Sequence, residues 1–172
     1  MTAPVMTPDR EQLVEQALAP THFSEVVETI LEKALDLVRA NVPAFKGAAH
    51  LETMIQRPDF AGPFRCALAI ELAKVIGADN PDVRTVFAYD LSLPNLHLIA
   101  LVSRPTYGHS DYIHALDQAL CERMRELRLP DCSARTGMLD VQFVTPQDVR
   151  LGIGTTGLLS AVQTAPVRVW AR

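Results

Sequence analysis

Hydrophobic positions recur along this chain with two periods, and each change of period marks an element. Two stretches near the middle, Val83–Leu91 and Leu96–Ser103, read as strands joined by the short turn Ser92–Asn95. In the first, Thr85, Phe87, Tyr89 and Leu91 fall on one face and Val86 and Ala88 on the other. The second is apolar on both faces, with Leu96, Leu98, Ala100 and Val102 set against Ile99 and Leu101. A strand apolar on both sides is covered on both sides, so it is predicted to be central. The turn is too short for a crossover, so the pair is an antiparallel hairpin. Pro94 has no N–H for a ladder and suits the turn.

Upstream the period is helical. Thr7-Pro8-Asp9 starts a short helix that runs to about Ala19 and is ended by Pro20. Thr21 or Ser24 opens the longest helix, to about Asn41. Its stripe is Phe23, Val26, Val27, Ile30, Leu31, Ala34, Leu35 and Val38, and its other face carries Glu25, Glu28, Glu32, Lys33, Asp36 and Arg39, acidic on balance. It is predicted to pack on the sheet, and its acidic face offers a surface for a dimer or a partner. Pro43–Gly47 is a loop, Ala48–Gln56 a short helix, and Pro58–Gly62 a break. Pro63 opens a well-buried helix to Ile76, stopped by Gly77.

Downstream, Ser110 caps a helix to about Leu127, and Leu129–Gly137 is a loop. Met138–Val144 is a third strand, and strand–helix–strand at this length predicts a right-handed parallel crossover. Thr145-Pro146-Gln147-Asp148 starts a short helix, another follows near Leu158–Val162, and Val167–Trp170 is an edge strand with Trp170 anchored in the core. The fold class is α+β: N-terminal helices packed on a small mixed sheet, with core order α-β-β-α-β. A single domain over 1–172 is expected, with a helical section to residue 62 and the α+β core from 63.

Composition fits a globular domain: 172 residues, 48% hydrophobic and 21% charged. The net charge of −4 argues against a general nucleic-acid or membrane-surface binder. Residues 1–60 hold nine acids and five bases, and residues 61–172 hold eleven of each, so the acidic face belongs to the N-terminal section. Cys66, Cys121 and Cys132 have no metal or redox spacing. With no signal-like start and no apolar run of spanning length, they read as free thiols in a cytoplasmic protein.

Over about Pro63–Val149 the chain resembles nucleotidyltransferase-fold domains, in particular the minimal nucleotidyltransferases. There, a helix leads to a strand ending in a Gly-Ser turn. The next strand begins with two aspartates spaced i, i+2, and a strand after the following helix carries a third. Here Val83–Tyr89 is similar to the first strand, Asn95–Val102 to the second and Leu139-Asp140-Val141 to the third. The acids serve a magnesium pair, which needs hard oxygen ligands to clamp the attacking and leaving oxygens. In this chain the paired acids become Asn95 and His97, only Asp140 survives, and Tyr89-Asp90-Leu91-Ser92 stands where the Gly-Ser turn would be. Asparagine is a weak neutral ligand and histidine favours softer metals, so the resemblance implies the fold and argues against the activity.

Three further groups carry potential chemistry. Gly152, Gly154 and Gly157 match G-x-G-x-x-G, but no strand runs into them and no acid follows within reach. They read as a turn, with phosphate binding as the functional alternative. His109, Asp111 and His114 read as a surface helix start, because ligands five apart do not share a helix face. His97 and Asp140 are predicted to hydrogen-bond across neighbouring strands, with an acid–base or single-metal pair as the sharper version. Tyr89, Asp90, Asn95, His97 and Asp140 together make the ligand-pocket candidate.

The resemblance thus leads to a catalytically degenerate, nucleotidyltransferase-like domain acting through a protein partner or a homo-oligomer. The alternatives are an active nucleotidyl-transferring enzyme using Asp90, His97 and Asp140 with Mg or Mn and a nucleoside triphosphate, and a purely structural domain.

Overall fold

The structure, a computed structural model, describes residues 20–89, 91, 96–128, 137–160 and 166–172. The helix expected at 7–19 lies outside them, as do Asp90, Asn95 and Cys132. The elements are α1 (Pro20–Asn41), a 3-10 turn (Pro43–Phe45), α2 (Leu51–Met54), α3 (Pro58–Asp79), β1 (Val83–Tyr89), β2 (Leu96–Val102), α4 (Tyr107–Glu126), β3 (Leu139–Val144), α5 (Pro146–Leu151), a 3-10 helix (Gly154–Ser160) and β4 (Val167–Ala171). The protein is α+β, with a four-stranded mixed sheet in the order β3-β2-β1-β4.

β1 and β2 form the expected antiparallel hairpin, and β2 and β3 pair in parallel across α4. Alternation then gives each sheet face its own character. Leu96, Leu98, Ala100 and Val102 are fully buried and join Val86, Ala88 and Leu139 in one cluster with the helices. The other face carries Tyr89, His97, Ile99, Asp140 and Gln142. The chain leaves β3 at one edge and enters β4, parallel to it, at the other. A right-handed connection in that direction runs over the face opposite α4. That fits Ile99, which is 0% exposed yet stands outside the main cluster.

α1 buries its predicted stripe (Phe23, Val27, Ile30, Leu31, Ala34, Leu35 and Val38) but packs chiefly on α3 and α4, which in turn lie against the sheet. α3 is accordingly covered nearly all round, with Phe60, Phe64, Leu68, Leu72 and Ile76 each at most 3% exposed.

α3 corrects the sequence reading at both ends. Pro58–Gly62 is no break: the helix begins at Pro58 and passes through Pro63, so the section boundary placed at residue 62 falls inside it. Pro58 stands at a position whose N–H would have no helical partner anyway. Pro63 does lose a bond. Burial of Phe60 holds the turn, with its ring stacked 5.2 Å from Phe64 and edge-on to Phe45 at 5.3 Å. Gly77 is no stop either. A Cβ there would lie 2.5 Å from the Trp170 ring, so the glycine makes room for the indole. The helix ends at Asn80, whose side-chain Nδ2 donates to the Ile76 carbonyl at 2.7 Å. Trp170 pairs with Val86 and packs on the cluster while staying half-buried.

The helix expected at Ala48–Gln56 spans only Leu51–Met54. Thr106, not Ser110, is the N-cap of α4, because His109 turns back to accept the Thr106 N–H at 3.1 Å. The second short helix, expected near Leu158–Val162, is a 3-10 helix that begins earlier, at Gly154, and is described to Ser160; residues 161 and 162 lie outside the described residues.

Candidate functional site

The polar residues of the outer sheet face meet where β1 ends and β2 and β3 begin. Register sets Tyr89 opposite His97 and His97 opposite Asp140, so three side chains stand in one row across three strands. The Tyr89 and His97 rings lie 5.3 Å apart, tilted by 32°. His97 Nδ1 is 3.2 Å from Asp140 Oδ2, as the predicted cross-strand bond requires. With the carboxylate as acceptor, Nδ1 carries the proton, and Nε2 of a neutral ring keeps its lone pair. The other carboxylate oxygen, Oδ1, accepts from Gln142 Nε2 at 2.8 Å.

Both oxygens of Asp140 are therefore engaged within the sheet. The His97 side chain is 17% exposed and that of Asp140 42%, so the row is reachable from solvent at its Asp140 end. Gln142 is the residue that sequence reasoning missed. Its position two residues after Asp140 on a strand, hence on the same face, was the available signal. Asp90 and Asn95, expected in the same pocket, lie outside the described residues.

This arrangement does not fit a magnesium pair. Among the described residues, Asp140 is the only carboxylate in the row, and its oxygens already serve His97 and Gln142. Among the described residues, no three His, Cys, Asp or Glu side chains gather as a metal site would need. What the row offers is a hydrogen-bonded imidazole beside an aromatic ring, suited to binding a polar group or moving one proton.

The other candidates separate in space. His109 is 5% exposed, stacked on Phe143 at 4.8 Å and used as a cap, while Asp111 and His114 are exposed. Gly152 caps α5 in the left-handed conformation with φ 64°, and Gly154 has φ 59°, so both glycines answer a backbone demand. The amides of Gly152, Ile153 and Thr156 bond within the turn, to Val149, Asp148 and Ile153. Thr156 is 2% exposed and donates its hydroxyl to the Ile153 carbonyl at 2.6 Å. Gly157 lies in the 3-10 helix that follows. Asp148 closes the other end of α5. The Thr145 backbone N–H, then its hydroxyl, hold the Asp148 carboxyl below its ordinary range.

Two grooves flank these elements. One of about 240 Å³ lies between α4 and β3, lined by Ser110, Ile113, His114, Asp117, Asp140 and Phe143 among others. A larger one, about 400 Å³, opens between α1, α2 and α4, away from the row. Glu28, Glu32, Asp36 and Glu52 rim it, and Arg123 lies among them. Burial pulls the Arg123 guanidinium down, but the carboxylates of Glu28 and Glu126 outweigh it, so the net shift is upward.

Cys66 is exposed and Cys121 buried, with the Cys121 thiol directed at Asp117 Oδ1 at 3.6 Å. No described helix is long and apolar enough to cross a membrane. Compared with family models, curated proteins and solved structures, the chain finds no match.

Proposed function

We propose that the chain is a nucleotidyltransferase-like domain whose metal-binding acids have been replaced, and that it works by binding protein partners. The strand order supports this reading: a helix, an antiparallel hairpin, a second helix and a strand parallel to the hairpin's second arm. That order brings together the two positions, His97 and Asp140, that correspond to catalytic carboxylates in the family it resembles. The observation that carries the loss of activity is the engagement of Asp140, whose two oxygens are bonded to His97 and Gln142.

The test is a thermal-shift screen of nucleoside triphosphates with magnesium, manganese or zinc, run beside an assay for released pyrophosphate. A nucleotide at 100 times its dissociation constant would add about 2.7 kcal/mol of stability. We expect no pyrophosphate and no stabilisation that needs metal and nucleotide together. Metal-dependent release, abolished in a folded Asp140→Asn variant, would overturn the proposal in favour of an active enzyme built on Asp90, His97 and Asp140.

A further inference from the structure

The sheet has two edges, and they are built differently. β4 is guarded: its register against β1 is broken by a bulge, and Arg168 stands exposed on it. Bulges and basic residues are the devices that stop an edge strand from pairing with another chain. β3 has neither. Its register with β2 runs unbroken from Leu139 to Val144, and it contains no proline, lysine or arginine.

The direction of its backbone groups follows from its bonds. The Met138 carbonyl accepts from the Leu96 N–H on β2, so in a parallel ladder Asp140 and Gln142 also turn their backbone toward β2. Leu139, Val141 and Phe143 then turn theirs outward. Asp117 agrees with this, since its Oδ1 takes the Leu139 N–H from outside the sheet at 2.8 Å. Among the described residues, the outward N–H and C=O groups of Val141 and Phe143 meet no hydrogen-bond partner. The groove between α4 and β3 leaves this side of the strand open.

We propose that this edge pairs with the same edge of a second copy of the chain, in antiparallel sense about a two-fold axis at Val141. The strand is complementary to itself in that register. Val141 faces Val141 with both its outward groups available, and Leu139 faces Phe143, where the Phe143 N–H can donate to the Leu139 carbonyl while the Leu139 N–H stays with Asp117; apolar side chains meet on the helix side. On the outer face Asp140 meets Gln142 twice, a carboxylate against an amide donor, and no like charges are opposed. The half-buried Val141 and Phe143 side chains are covered in the process. The result is an isologous dimer with one continuous eight-stranded sheet. The inference needs only the sheet edge and is independent of the nucleotidyltransferase-like reading.

Sedimentation of the full chain across the micromolar range tests it. We expect a species of twice the monomer mass. Gln142→Asp sets carboxylate against carboxylate at both ends of the pairing and should weaken the dimer by roughly tenfold. Gln142→Lys places an amine against Asp140 and should keep the dimer. A wild-type chain that stays monomeric overturns the proposal, as does a Gln142→Asp variant that dimerises like the wild type. Amide exchange gives a readout that needs no variant. Exchange at Val141 and Phe143 should slow as the wild-type concentration rises, and exchange independent of concentration overturns the dimer at this edge.

Discussion

The two faces of β2 differ more than their sequence suggests. Leu96, Leu98, Ala100 and Val102, on one face, are all 0% exposed and lie under α3, with α4 against the neighbouring β3. One step along the strand, His97 points the other way into a polar row that also includes Tyr89, Asp140 and Gln142. The contrast teaches that alternate positions of one strand can carry separate tasks. The inner positions hold the domain together and tolerate no polarity. Of the outer positions, Ile99 is as buried as the inner ones, whereas His97 belongs to a hydrogen-bonded row whose removal should cost the fold little.

The contrast can be broken by substitution. Leu98→Ala removes a fully buried side chain from the inner face and should cost about 2–5 kcal/mol, seen as a large fall in the denaturant midpoint. A loss below about 1 kcal/mol would mean that the inner face is not the core that its burial implies.

Tyr112 sharpens the picture of the helical layer. Its hydroxyl donates to Asp79 at 2.7 Å, and its ring meets Phe23 edge-on at 5.4 Å. Burial first, then the Asp79 bond, raises the phenol well above its ordinary value. A pKa raised by folding adds stability that is fully present below the unfolded value, near 10, and is lost as pH climbs past it. Tyr112→Phe should cost about 1 kcal/mol at neutral pH. It should also flatten the alkaline decline, and wild-type and variant curves that stay parallel above pH ~10 would contradict the assignment.

Asp140→Asn should have the smallest effect on stability, at most about 1 kcal/mol, because the His97–Asp140 pair is partly solvated. An effect as large as that of Leu98→Ala would erase the distinction between the faces.

Much of this architecture was legible in the sequence. The stripe of α1 follows from period, the hairpin from its short turn, the parallel third strand from the helix before it, and the His97–Asp140 bond from strand order. What was hidden depends on contacts distant in sequence. Pro63 looks like a helix start, and only the packing of Phe60 against Phe45 and Phe64 shows that the helix is already under way. Gly77 looks like a helix stop, and only Trp170 explains why a glycine stands there. His109 looks like part of a surface helix start, but its ring is buried, taken up by a backbone N–H and by Phe143. In each case a local signal was outweighed by a partner that the local window does not contain.

The junction of α3 with β4 also bears on how the domain assembles. Trp170 rests on Gly77, and Arg172 Nη2 donates to the Gly77 carbonyl at 2.7 Å across 95 positions of chain. A contact between residues so far apart in sequence carries a loop-closure cost that the packing must offset. The indole in that contact is the only tryptophan of the chain. Its emission therefore reports whether β4 is docked on β1 and α3, whereas circular dichroism reports the helices themselves. The protein carries an optical marker at the point where its final strand closes the fold.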